Sequence, residues 1–283
     1  MTWTARAPST LDYFAALVAQ DEGLPLLEAV ASVALDEYPE LDLQAVLDDV
    51  ERLLQRLRRR LPADAGSLQR LQLLNHYFFR ELGFGGNVND DHDPDNSYLH
   101  RVLQRRRGLP ITLGVLWLEL ARGIGLRAAG ILFPGHFLVK AQLVQGQVIV
   151  DPSTGQSLSR EELSERLEPY KRRQGLIDEF DVPVELFLQP AAARDIVARV
   201  LRNLKEIHRL AQDWPRLLAV SERLVRVLPD DWAERRDRGL TWAELGQPER
   251  ALADLEGYLR HQPDAEDAEA VALRVQALRL GRG

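Results

Sequence analysis

The sequence lacks cysteine, has few lysines and one methionine, and has no long apolar segment. Without cysteine the chain cannot form disulfides, cysteine-ligated zinc sites or iron–sulfur clusters, and it has no thiol nucleophile. The longest apolar run, residues 111–118, is too short to cross a bilayer. The N-terminus carries no apolar signal segment, so the sequence predicts a cytoplasmic protein.

What remains is an ordinary globular composition. The chain has 283 residues, of which 45% are hydrophobic and 28% are charged. This length predicts about two domains, each large enough to bury a core. The formal net charge of −7 argues against nucleic acid and acidic membranes as partners.

The first hundred residues have helical patterns. Ser9 and Thr10 predict a cap for a helix that begins at Leu11. Residues 41–61 place leucine and valine at i, i+3, i+4 and i+7, which is typical of a helix with one buried face. Ser67 predicts the start of a further helix that runs through Leu82.

The middle of the chain changes character. Residues 108–126 predict a short, strongly apolar helix, and residues 128–133, 136–143 and 148–150 predict antiparallel strands. Residues 145–147, Gln-Gly-Gln, are a candidate hairpin turn. The fold class is therefore α+β and mostly helical, with a small antiparallel sheet.

The last ninety residues repeat. Pro229 and Pro263 are 34 residues apart, which is the period of tetratricopeptide repeats. The small, aromatic and proline consensus positions of the clearer unit are held by Gly239, Trp242, Gly246, Ala251, Leu255 and Pro263. Residues 265–280 predict a capping helix. We expect two domains, residues 1–189 and 190–283, with a protein or peptide partner for the repeats.

The middle segment contains residues that could carry chemistry. Residues 108–113 form a predicted helix start, where unpaired backbone N–H groups favour a nucleophile or an oxyanion. His136 begins one predicted strand and Asp151 ends the next, so a hairpin would bring them together. A nucleophile, a histidine base and an aspartate that orients the base are the parts of a catalytic triad.

The order helix, strand, histidine, strand and Asp-Pro resembles the papain-like core of transglutaminase-like proteins. More closely, the chain resembles the bacterial SirB-type family, whose members join this core to C-terminal tetratricopeptide repeats. The resembling segments are residues 96–99, 102–103, 108–113, 134–139, 151–152, 203–205 and 236–239.

The resemblance implies a nucleophile position near Thr112, or at Pro110 if the helix register shifts. It also implies that the SirB-type family carries serine or threonine there. A threonine hydroxyl is a poor substitute for a thiol, because it stays protonated beside a histidine. The alternative interpretation of Thr112 is a helix N-cap, and that of His136 and Asp151 is a structural hydrogen bond.

Two functional hypotheses follow. The first is a non-catalytic, pseudoenzyme protein that acts as a regulator or adaptor, and the missing cysteine favours it. The second is a hydroxyl-dependent amidase, peptidase or acyltransferase that uses Thr112, His136 and Asp151.

Other charged segments suggest no firm site. Asp91, Asp93 and Asp95 match the first half of an EF-hand loop, but Asn96 and Val102 stand where that loop needs glycine and glutamate. We therefore predict no metal and no cofactor, and expect Asp95 or Asn96 to cap a helix that runs to Arg107.

Two arginine runs also stand out. Residues 58–60 lie on the polar side of a predicted helix, and residues 105–107 suit a helix C-terminus. Phosphate binding by the second run is an alternative that no other residue in the sequence supports.

Overall fold

The computed structural model describes residues 9–87, 92–176 and 182–281. Their contacts define two compact units. One unit contains residues 25–34 and 40–196, and the other contains residues 1–24, 35–39 and 197–283. No described helix is both long and apolar enough to cross a membrane.

The N-terminal helices follow the sequence pattern closely. Helix α1, Thr10–Leu17, is capped by Ser9, which forms a reciprocal capping box with Asp12, and it begins one residue earlier than predicted. Helix α2 is Leu26–Ser32, and a 3₁₀ turn, Val33–Asp36, follows it. Helix α3, Leu43–Arg58, begins at its N-cap Asp42. Its buried stripe consists of Val46, Val50, Leu53, Leu54 and Leu57.

The next predicted helix has two parts. Helix α4, Ser67–Asn75, continues as a π-helix, His76–Glu81, instead of staying regular to Leu82. Two-residue strands, β1 (Gly85–Gly86) and β2 (Arg107–Gly108), then pair in parallel on either side of helix α5, Leu99–Arg105. Neither the π-helix nor this strand pair has a signal in the hydrophobic pattern.

A central helix and a four-stranded sheet complete this unit. Helix α6, Pro110–Gly123, is buried along most of its length. The antiparallel strand order is β3 (Ala128–Ile131), β4 (Leu138–Leu143), β5 (Gly146–Val150) and β6 (Ser157–Leu158). The hairpin turn is Val144–Gln145, because Gly146 already pairs with Leu143 as the first residue of β5. The predicted turn, residues 145–147, therefore lies slightly too late in the chain.

Helix α7, Arg160–Arg173, follows the sheet and begins at Ser159, which forms a second capping box with Glu162. A 3₁₀ turn, Val184–Leu188, packs with it against the sheet. The apolar cluster between them contains Ile131, Leu138, Ile149, Leu158, Leu163 and Leu167.

The repeat segment consists of paired helices. Its helices are α8 (Ala193–Leu210), α9 (Trp214–Val227), α10 (Trp232–Glu244), α11 (Pro248–His261) and α12 (Ala268–Leu280). A Cβ at Gly239 would lie 2.9 Å from Leu255, so the predicted consensus glycine lets α10 approach α11 closely. The predicted capping helix is α12, and it starts three residues later than expected.

Candidate functional site

The site begins at the N-terminus of α6. Leu109 is the N-cap residue and makes no side-chain cap hydrogen bond, and Pro110 is the first helical residue. Proline suits this position because its fixed φ matches the helix and its missing N–H has no partner there. Thr112 therefore is not the N-cap, and that alternative interpretation is wrong.

Thr112 points into the protein. It is 0% exposed, and its Oγ1 is hydrogen-bonded to no described atom. Leaving a buried hydroxyl without a partner costs about 1–3 kcal/mol, so this is an unfavourable place for a polar side chain.

Phe137 fixes the start of β4 against α6. A Cβ at Gly114 would lie 2.4 Å from the Phe137 ring, and a Cβ at Gly130 would lie 2.6 Å from it. The ring thus fills space that two glycines leave open, one on α6 and one on β3. Because His136 precedes Phe137, this packing also sets the position of His136 relative to α6.

The structure brings His136 and Asp151 together. The turn before β4 uses Gly135 at φ +76°, and the backbone N–H of His136 donates to Phe133 at 2.9 Å. Since Val139 pairs with Val150 across the hairpin, residue 136 and residue 151 come to the same end of the sheet. His136 Nε2 lies 3.1 Å from Asp151 Oδ1 and is hydrogen-bonded to no described atom.

Asp151 is the best-connected residue of the site. Its Oδ1 accepts from the backbone N–H of Ser153 at 2.9 Å, and its Oδ2 accepts from Arg166 Nη1 at 3.0 Å. Burial alone would raise the pKa of Asp151, but His136, Arg166 and the Ser153 N–H together hold it well below its usual range. Asp151 is therefore a carboxylate at neutral pH.

Arg166 was not among the residues that the sequence suggested. It lies on α7, and its side chain is 38% exposed, whereas that of Asp151 is 4% exposed. Its sequence neighbourhood is an ordinary charged helix, so only the packing of α7 beside the sheet reveals the ion pair.

The three predicted residues do not form a connected triad. His136 and Asp151 are adjacent, but no hydrogen bond links Thr112 to either of them. The arrangement places the His136 ring beside a carboxylate. Among the described residues no hydroxyl is hydrogen-bonded to that ring, and the chain has no thiol.

A second buried hydroxyl lies near the same helix start. The Asn96 carbonyl accepts from the N–H of Leu109 at 3.1 Å, which places the neighbouring Ser97 beside the N-terminus of α6. Ser97 is 0% exposed, and its Oγ has no hydrogen-bond partner among the described atoms.

The acidic loop before α5 is used for ion pairs. Asp93 caps a 3₁₀ turn, Pro94–Asn96, and pairs with Arg105 at 2.7 Å, while Asp95 pairs with Arg101 at 2.8 Å. Asp91 lies outside the described residues. The helix that Asp95 or Asn96 was expected to cap begins only at Leu99, so that prediction is wrong. The described residues contain no group of three or more possible metal ligands.

This helix, hairpin and His–Asp pair, followed by helical repeats, define a transglutaminase-like core joined to tetratricopeptide repeats. A family model for the transglutaminase-like superfamily matches residues 44–202, and one for the tetratricopeptide repeat matches residues 204–276.

Relatives match over most of the chain. A UPF0162 protein of Xylella fastidiosa is 35% identical over 252 residues, which cover 89% of each chain. A UPF0162 protein of Vibrio cholerae is 28% identical over 262 residues, covering 91% of this chain and 95% of the relative. SirB1 of Salmonella typhimurium is 27% identical over 240 residues, covering 83% and 86%. The chain belongs to this SirB1 and UPF0162 family of transglutaminase-like proteins. No solved structure matches it.

Proposed function

We propose that this protein is a non-catalytic, transglutaminase-like adaptor or regulator that binds a protein or peptide through its tetratricopeptide repeats. In this proposal residues 1–189 are the transglutaminase-like part, and residues 190–283 are the binding part. The observation that carries it concerns Thr112, whose hydroxyl is fully buried and hydrogen-bonded to no described atom, in a chain without cysteine.

The physical argument concerns activation of the hydroxyl. A serine or threonine nucleophile needs a base within hydrogen-bond reach, about 2.6–3.2 Å, because its own pKa is far above neutral. His136 makes no such contact with Thr112. A buried hydroxyl is also out of reach of a peptide substrate.

A shift of the helix register does not supply a nucleophile. Gly114 faces Phe137, and Pro110 lies one helical turn earlier on the same face. A residue at position 110 would thus be directed towards the segment that carries His136. Proline has no group that can attack a carbonyl.

The repeats supply the partner-binding half of the proposal. Tetratricopeptide helices generally bind proteins on extended surfaces, and the matched segment, residues 204–276, runs from the end of α8 into α12. We infer one polypeptide partner and no nucleic acid or membrane.

Peptide-library selection on the full-length protein tests this proposal. We expect an enriched peptide to bind the wild type, Thr112→Val and His136→Gln with equal affinity. Binding should weaken in Gly239→Leu, which forces α10 away from α11. Loss of peptide binding in Thr112→Val with an unchanged circular dichroism spectrum would contradict the proposal. Undiminished peptide binding by Gly239→Leu, in a protein whose repeat helices are disrupted, would also contradict it.

A second candidate is a hydroxyl-dependent amidase, peptidase or acyltransferase that uses Thr112, His136 and Asp151. The 3.1 Å approach of His136 to Asp151 favours it, since this pair supplies two of the three members of a triad. A fluorophosphonate probe should then label Thr112 in the wild type and fail to label His136→Ala. Absence of labelling in both proteins would exclude this candidate in favour of the adaptor.

A further inference from the structure

Arginines from two segments that are about fifty residues apart in the sequence lie around Tyr77. The Tyr77 hydroxyl donates to the carbonyl of Leu53 on α3 at 3.2 Å, which fixes the ring against that helix. Arg56 is three residues beyond Leu53 and lies on the same side of α3. The guanidinium of Arg60 lies 5.0 Å from the centre of the Tyr77 ring.

Arg106, from residues 105–107, also lies near Tyr77. Its guanidinium lies 4.6 Å from the centre of the Phe84 ring, and that ring stacks on Phe78 at 4.4 Å. Since Phe78 follows Tyr77 on the π-helix, the aromatic stack brings Arg106 to the same region. We call Arg56, Arg60 and Arg106 around Tyr77 the Tyr77 arginine cluster.

The backbone of Arg106 is held rigidly. It adopts the left-handed conformation, with φ at 58°, as the C-cap of α5, which is uncommon for a residue other than glycine. Its N–H donates to Val102 at 2.8 Å, and its carbonyl accepts from Gly85 at 3.1 Å. The guanidinium is therefore positioned before any ligand arrives.

The positive charge of the cluster is only partly matched. Arg60 pairs with Glu81, so its charge is compensated. Arg56 and Arg106 form no ion pair with any described residue, and Nη1 of Arg106 is buried without a hydrogen-bond partner. Asp49 is near enough to act on Arg106, but its carboxylate pairs with Arg52.

The electrostatics agree with this geometry. Burial raises the pKa of Tyr77, while the charges of Arg56, Arg60 and Arg106 act on it in the opposite direction. Burial also lowers the pKa of Arg106, the charges of Tyr77 and Asp49 act to raise it, and the charge of Arg56 acts to lower it. Arg56 and Arg106 are thus near enough to act on each other.

We propose that the Tyr77 arginine cluster binds a phosphate group. A phosphate monoester carries a charge of about −1.5 to −2 at pH 7, which matches the two uncompensated guanidiniums. Its tetrahedral oxygens accept from donors that converge from different elements. A planar carboxylate is satisfied by a single arginine fork and does not need donors from several elements.

Calorimetric titration of the full chain at fixed pH and ionic strength tests the proposal. The probes are inorganic phosphate, phenyl phosphate and acetate, and the variants are Arg56→Gln and Arg106→Gln. Arg59→Gln is the matched control, because Arg59 is an exposed neighbour that takes no part in the cluster. We expect both cluster variants to weaken phosphate binding by about tenfold or more, and the control to leave it unchanged.

The probes also identify the source of the phosphate group. Tighter binding of phenyl phosphate indicates a phosphate ester, and tighter binding of inorganic phosphate indicates the free ion. Binding of acetate as tight as that of phosphate would overturn the proposal, as would phosphate binding that Arg56→Gln leaves intact. Because Arg56 is exposed, its variant keeps the test valid even if Arg106→Gln fails to fold.

Discussion

At Asp151 three groups converge on one carboxylate, and each comes from a different element. The ring of His136 precedes β4, the N–H of Ser153 follows β5, and Arg166 lies on α7. The first contact could be predicted from the sequence, because alternating strands and a short turn fix the hairpin. The contact to Arg166 could not, because it depends on how α7 packs.

The pH dependence of stability should report on Asp151. Its pKa is lower in the folded protein than the value of about 3.9 in the unfolded chain. Its contribution to stability is therefore complete above that value and is lost as pH falls towards the folded-state pKa. We expect the free energy of unfolding to fall more steeply from about pH 5 to pH 2 in the wild type than in Asp151→Asn.

Urea denaturation across this range measures the difference. Asp151→Asn should also be less stable at pH 7, by about 1–3 kcal/mol, because it leaves Arg166 without its charged partner. Glu165→Gln, an exposed change on the same helix, is the control. Parallel pH profiles for the wild type and Asp151→Asn would mean that the carboxylate is not stabilised as described.

Thr112 allows a second prediction at the scale of one residue. Its hydroxyl is buried without a partner, so Thr112→Val should leave stability unchanged or raise it by about 1 kcal/mol. Thr112→Ser keeps the hydroxyl and loses the methyl, so it should destabilise by about 1 kcal/mol. Denaturation midpoints at constant m-value measure both changes, and a less stable Thr112→Val would show that the hydroxyl has a structural partner.

At the scale of secondary-structure elements, the sequence predicts the helices and strands that have a repeating pattern or a cap. Ser9 and Asp12 mark the start of α1, and the apolar stripe marks α3. Strands β1 and β2 have only two residues each, which is too short for any alternation to show. They exist because Gly85 and Gly86 meet the segment after α5, so they follow from tertiary contacts alone.

The packing of α6 against the sheet predicts how a substitution at Gly114 changes stability. Gly114→Ala should destabilise by about 1–3 kcal/mol, although alanine favours helices, because its Cβ would overlap the Phe137 ring. Phe137→Leu removes part of that ring, and the double variant should recover some of the loss. Thermal or urea unfolding checks both, and additive effects in the double variant would contradict direct contact.

At the scale of the whole chain, the 34-residue period correctly predicts the repeats. The unit that contains them also includes α1 and residues 35–39, and no sequence pattern indicates this. Arg223 on α9 is 2% exposed, pairs with Asp36 at 3.0 Å and lies 5.1 Å from the Phe14 ring. The proposed division at residues 189 and 190 stays a prediction.

The contribution of α1 and residues 35–39 to the repeat unit can be tested with two matched variants. Asp36→Asn removes the charged partner of a buried arginine and should cost about 2–3 kcal/mol. Glu37→Gln removes the partner of the exposed Arg216 and should cost at most about 1 kcal/mol. Trp214, Trp232 and Trp242 lie in this unit and Trp117 lies in the other, so tryptophan fluorescence in a Trp117→Phe background follows its denaturation. Equal losses of unfolding free energy in the two variants would argue against a buried ion pair between Arg223 and Asp36.

Intact-protein mass spectrometry after incubation with a peptide amide or an activated ester tests most directly whether this transglutaminase-like core is inactive. We predict the unmodified mass for the wild type at every time point, because no hydroxyl of a described residue is hydrogen-bonded to His136 and the chain has no thiol. An acyl adduct on Thr112 that disappears in Thr112→Val and in His136→Gln would contradict this account.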